Sequence, residues 1–189
     1  MSHDPNELPR TLPRPKNDGA CSHLPGTAIP TCKLEATDAR WIDLGAMPGQ
    51  TVVFAYPRTV RPKTAPLVAK WDEIPGARGC TPQTCCFRDS FDAFRECGVH
   101  VFGLSTQSTS YQREMSTRLR LPFPVLADPQ LEIVSRLRLP TFEVAGQRLI
   151  KRLAWYARDS VIEKVFYPVF PPQENAEAVI DWLRRREET

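Results

Sequence analysis

Long apolar runs are missing from this sequence: nowhere do 18 or more apolar residues follow one another, so no transmembrane helix is expected. A secretory signal is missing as well, because the first twenty residues carry Asp4, Glu7, Arg10, Arg14 and Lys16 and no apolar core. Such a chain is expected in the cytoplasm, away from membranes. An excess of one charge is also lacking. The 25 Lys and Arg stand against 22 Asp and Glu, interspersed for a net charge of +3, which excludes the basic footprint that nucleic-acid binding needs. The run Arg184, Arg185, Arg186 is followed at once by Glu187 and Glu188 and reads as a solvated helix end at the favourable pole of its dipole. Histidines are scarce: His3 and His23 fall in a proline-rich stretch with no expected catalytic role, and His100 stands alone in the body of the chain. Internal repeats and low-complexity tracts are absent.

What remains is 189 residues, 41% hydrophobic and 25% charged, enough for one globular domain with a terminal extension. Residues 1–30 hold six prolines and few large apolar groups, so they form an N-terminal arm that cannot fold alone and lies across a domain spanning 31–189. Six cysteines (Cys21, Cys32, Cys80, Cys85, Cys86, Cys97) in a chain without an export signal imply chemistry, metal or packing rather than a disulfide framework.

The order of elements follows from periodicity. Residues 31–42 suit a short hairpin around Thr37-Asp38, and 51–56 (TVVFAY) form a buried strand ended by Pro57. The stretch 57–79 holds four prolines and no period. A loop that long inside a compact domain is usually functional. A helix over 81–97 follows, with Pro82 in its first turn, Phe87, Phe91 and Phe94 at core spacing and Gly98 as its left-handed cap. A strand at 99–105, a helix at 111–119, a short strand at 123–127 and a helix at 129–137 come next. The last elements are a hairpin of 148–157 with 161–167, turning at Arg158-Asp159-Ser160, and a closing amphipathic helix at 174–186. Strands alternating with helices point to an α/β three-layer sandwich around a central mixed sheet.

The chemistry gathers in Gly79-Cys80-Thr81-Pro82-Gln83-Thr84-Cys85-Cys86-Phe87-Arg88-Asp89. Cys80 opens the helix, where unpaired N–H groups and the dipole favour an anion, so a thiolate is expected there. Arg78 could add positive charge, although a loop arginine is more often solvated. At about 100° per residue, Cys85 shares a face with Arg88, Asp89, Asp92 and Glu96 and should be the wetter thiol. Cys86 and Cys97 lie beside the phenylalanine stripe and read as small core hydrophobes. Cys21 and Cys32 read as surface thiols, and Trp41, Trp71, Trp155 and Trp182 as packing residues, with Trp71 in the long loop a second candidate role as a shield for the site.

The strand end FAYP, the loop, GCTPQTCCFRD and then VHVFGLST resemble the bacterioferritin-comigratory or Q-type peroxiredoxins, over roughly residues 31–186. Cys-x4-Cys at a helix start is a fairly specific signal in this setting. The resemblance implies a thioredoxin-like fold and a thiol peroxidase acting on hydrogen peroxide or alkyl hydroperoxides, with no cofactor or metal. It implies that Cys80 is the peroxidatic cysteine, that Cys85 resolves it as an intramolecular disulfide, and that thioredoxin or glutaredoxin recycles the pair. It also matches the family's later arginine to Arg152, whose guanidinium would favour the thiolate and stabilise charge as the O–O bond breaks.

Five residues at about 1.5 Å rise hold the α-carbons of Cys80 and Cys85 more than about 7 Å apart, beyond disulfide reach, so that bond requires the first helical turn to unwind. The chain departs from the family where Ala77 replaces the threonine three residues before the peroxidatic cysteine, with Pro57 far upstream. Either Thr59 or Thr81 is left to supply the hydroxyl that orients peroxide.

Two other classes compete. A thioredoxin-like disulfide exchanger or redox sensor without peroxidase turnover would want Cys-x-x-Cys at the helix start, which is absent, although Leu139-Pro140-Thr141 resembles the thioredoxin proline segment. A metal module of Cys80, Cys85, Cys86 and Cys97 would need ligands that one helix points to different sides.

Overall fold

The computed structural model describes residues 8, 9 and 11–187. The start of the expected arm, His3 included, lies outside the described residues.

Among the described residues nine strands and five α-helices follow one another: β1 (Lys33–Ala36), β2 (Trp41–Asp43), β3 (Gln50–Ala55), α1 (Cys80–Asp89), α2 (Phe91–Glu96), β4 (Val99–Ser105), α3 (Thr109–Leu119), β5 (Val125–Ala127), α4 (Glu132–Arg136), β6 (Thr141–Val144), β7 (Gln147–Ile150), β8 (Leu153–Arg158), β9 (Val161–Phe166) and α5 (Asn175–Glu187). Seven strands form one sheet in the order β2-β1-β5-β4-β3-β8-β9. The pairs β3–β4 and β4–β5 are parallel, while β1, β8 and β9 pair antiparallel, which makes the sheet mixed.

The period of two in β3 divides the core. Val52, Phe54 and Tyr56 face one side, packing with Cys80, Phe87 and Phe94 of the α1–α2 stretch, Met115 of α3, and Val179 and Leu183 of α5. Val53 and Ala55 face the other, against Ile133 and Val134 of α4 and against Cys21, Leu24 and Ile29. Helices on both faces of a central mixed sheet are the three-layer α/β sandwich anticipated from the alternation of elements.

The Cys21–Pro30 stretch does more than lie across the surface. Gly26 and Ile29 donate to the Ile162 and Ser160 carbonyls at 2.7 Å, covering the outer edge of β9. Cys21 and Cys32 are buried, not the surface thiols expected. Local polarity concealed this, because their apolar partners are remote in sequence.

Three elements differ from expectation. The single helix over 81–97 is two helices that break at Asp89-Ser90, residue types whose side chains compete for backbone groups. The helix expected at 129–137 shrinks to α4. The strand expected over 148–157 is two strands in different sheets. Its first part pairs with β6 in a separate hairpin turning at Ala145-Gly146, both at positive φ, and the chain crosses at Lys151-Arg152 to enter β8. That crossing delivers Arg152 to the start of α1.

Candidate functional site

The site assembles where α1 begins. Gly79 caps α1 at φ 101°, a conformation other residues resist, and a Cβ there would stand 2.4 Å from Pro172 Cγ. The chain therefore packs tightly against the segment leading into α5, and Cys80 emerges at the first helical position, 3% exposed.

Arg152, also 3% exposed, donates from Nη2 to Cys80 Sγ at 3.3 Å. The same nitrogen reaches the carbonyls of Arg78 at 3.0 Å and Gly76 at 3.2 Å, while Nη1 donates to Gln83 Oε1. Gln83 is fully buried and turns its amide nitrogen to Asn175 Oδ1, 2.9 Å away, at the start of α5. A buried guanidinium held this fully cannot drift from the sulfur, and its planar fork is suited to several acceptors at once. The sequence reading missed Gln83. The signal was available, since residues 80, 83, 84 and 87 share one helical face and Gln83 is a polar amide on a face otherwise aimed at the core.

A narrow cleft of about 10 Å³ reaches Cys80, bounded by Arg58, Thr59, Val60, Trp71, Arg78 and Thr81. That is room for about one water-sized molecule. Both candidate hydroxyls border it. Thr59 is pinned by Gln107, whose Oε1 accepts from the Thr59 amide at 2.9 Å and from its hydroxyl at 3.1 Å. With its proton committed to Gln107, the Thr59 oxygen keeps lone pairs to accept from a bound O–H. Arg78 is buried at the cleft wall, 3.8 Å from Asp72, rather than solvated. Trp71 forms another part of the wall, in a small cluster with Ala77 and Leu149. Beneath it Tyr56 donates to Gln112 Oε1 at 2.7 Å, and burial, then the nearby Cys80 charge, holds its phenol well above the usual range and so neutral.

Neither other thiol of α1 has a hydrogen bond to Cys80 among the described residues. Cys85 is half-buried on α1 near Arg88, and burial pushes its thiol above the ordinary value. Cys86 donates to Gln83 O at 3.0 Å beside the start of α5, and burial pushes it up to about 11. Both are neutral thiols at pH 7. Cys85 cannot meet Cys80 while α1 is intact, for the first turn is tied by Gln83 N to Gly79 O at 3.0 Å and by the Thr84 hydroxyl to Cys80 O at 2.9 Å. Pro140 takes no part in the cleft; its carbonyl accepts from Lys151 N at 2.8 Å. Among the described residues no cluster of His, Cys, Asp and Glu is placed to hold a metal.

Chemically, the arrangement presents one sulfur at a helix N-terminus, a fixed cation beside it and a cleft for a very small oxidant. The sequence model of the Redoxin family matches residues 24–180. Among curated relatives, a chloroplastic peroxiredoxin Q of Oryza sativa subsp. japonica is 26% identical over 151 residues, covering 79% of this chain and 62% of the rice protein. The chain thus spans about three fifths of that relative's length. A chloroplastic peroxiredoxin Q of Sedum lineare is 24% identical over 185 residues, covering 97% of this chain and 90% of its own. Among solved structures, the peroxidoxin BcpB of Mycobacterium tuberculosis superposes with a TM-score of 0.69 at 22% identity, covering 85% of this chain and 96% of that one. Peroxiredoxin Q of Xanthomonas campestris superposes with a TM-score of 0.65 at 16% identity, covering 93% and 96%.

Proposed function

We propose that this chain, which belongs to the Redoxin family and has peroxiredoxins Q among its relatives, is a thiol peroxidase whose attacking sulfur is Cys80. The observation that carries the reading is the 3.3 Å contact from a buried, multiply anchored Arg152 to a sulfur at a helix N-terminus, which a narrow cleft reaches.

In the proposed cycle the Cys80 thiolate attacks one oxygen of ROOH. The O–O bond breaks, ROH leaves after taking a proton, and Cys80 becomes a sulfenic acid. Arg152 stabilises the thiolate and then the charge developing on the departing oxygen. The Thr59 or Thr81 hydroxyl orients the peroxide. The first turn of α1 then opens and the Cys85 thiol displaces water from the sulfenic acid to form the disulfide. A dithiol donor of the thioredoxin or glutaredoxin class returns both sulfurs to thiols by exchange. Hydrogen peroxide and the terminal hydroperoxide of an alkyl chain are the proposed substrates, and the cytosol, where free thiols persist, is the proposed compartment.

The pairing is tested on wild-type chain treated with one equivalent of hydrogen peroxide, digested without reduction and sequenced by tandem mass spectrometry. A Cys80–Cys85 bond is expected. A bond from Cys80 to Cys86, or to a second chain, would replace Cys85 as the resolving thiol.

A further inference from the structure

A second cavity, of about 400 Å³, has Arg152 in its wall. Its volume falls in the range of small-molecule sites. Its walls come from remote parts of the chain: Pro15 from the N-terminal stretch, Ile74 from the long loop, Phe142 from β6 and Pro168 after β9. Most of the lining is therefore apolar, while the rim is cationic. Lys151 is paired with Asp18 at 2.7 Å, and Asp18 also accepts from the Tyr167 hydroxyl at 2.8 Å. Those two partners hold the Asp18 carboxyl down to about 2. Arg14 and Lys16 border the same cavity, and the ion pairs among the described residues leave both without a carboxylate. Arg14 lies over the Phe170 ring at 5.1 Å, which orders its guanidinium.

Apolar walls beside two cations that pair with no carboxylate among the described residues suit a ligand with an apolar chain and an anionic head. We propose that this cavity binds a free carboxylic acid with an unbranched alkyl chain, its carboxylate between Arg14 and Lys16. Arg152 and Gly76 border the cavity as well, and Arg152 Nη2 contacts both Gly76 O and Cys80 Sγ. A negative charge on that side of Arg152 offsets part of the positive field the guanidinium presents to the sulfur, so occupancy slows the reaction of Cys80. This last step rests on the peroxidase reading; the binding itself does not.

The test uses the full chain and two probes of equal length, octanoate and octanol, followed by titration calorimetry. Octanoate is expected to bind more tightly than octanol, and the Arg14→Gln/Lys16→Gln double variant to weaken octanoate at least about fivefold while leaving octanol unchanged. Both residues are exposed, so the variant folds. Equal affinity for the two probes, unchanged octanoate binding in the variant, or no binding at millimolar octanoate would each overturn the site. Saturating octanoate is also expected to slow hydrogen peroxide consumption by about fivefold. An unchanged rate with octanoate bound would refute the coupling through Arg152. A chain that consumes no peroxide yet binds octanoate would overturn the peroxidase reading while supporting the cavity.

Discussion

Cys80→Ser is expected to reduce peroxide consumption to the uncatalysed background, a fall of at least about 1000-fold. A serine hydroxyl stays protonated at neutral pH and is a far weaker nucleophile than a thiolate. The fold should survive the exchange, because the oxygen can keep the Arg152 hydrogen bond that Sγ accepts at 3.3 Å and still donate toward Ala77 O, which Sγ approaches at 3.5 Å. Thermal unfolding of wild type and variant should agree to within a few degrees, while a coupled assay following reductant oxidation separates them. A variant keeping a tenth or more of wild-type activity would move the chemistry to another sulfur.

The second large effect is expected at Arg152. In Arg152→Met the carbonyls of Gly76 and Arg78 and the side-chain oxygen of Gln83 lose their donor. Unsatisfied buried acceptors cost about 1–3 kcal/mol each where water cannot replace the donor, so a stability loss of about 2–4 kcal/mol is expected by denaturant titration. Activity should fall by about 100- to 1000-fold, because the cation no longer meets charge on the sulfur or on the departing oxygen. Arg152→Lys separates the two roles. It returns a charge without the fork, so it should recover part of the activity but little of the stability, since one ammonium cannot span four acceptors. If Arg152→Met were as active as wild type, Arg152 would be a structural residue and the electrostatic part of the account would fail.

The sequence made the sheet legible where both neighbours of a strand bury it. The β-branched run before Pro57 is β3, its two faces separated by a period of two, and the Asp159-Ser160 turn stands where the hairpin was expected. The opening of α1 at Cys80 was legible too, because Gly79 and Pro82 are local signals. What stayed hidden depends on partners remote in sequence. Arg78 is a loop arginine by composition and buried by tertiary contact. Gln107 reveals itself only where it clamps Thr59, 48 residues away. The β6–β7 hairpin carries a local cue in Gly146, and Lys151-Arg152 interrupts the apolar pattern of residues 148–157 where the expected strand breaks.

The Cys85→Ser chain, which cannot close the expected disulfide, is treated with one equivalent of hydrogen peroxide in the presence of dimedone, and its peptides are sequenced by tandem mass spectrometry. A single dimedone adduct on Cys80 is the result the account predicts. An adduct on Cys86 or Cys97, with Cys80 still a free thiol, would contradict it.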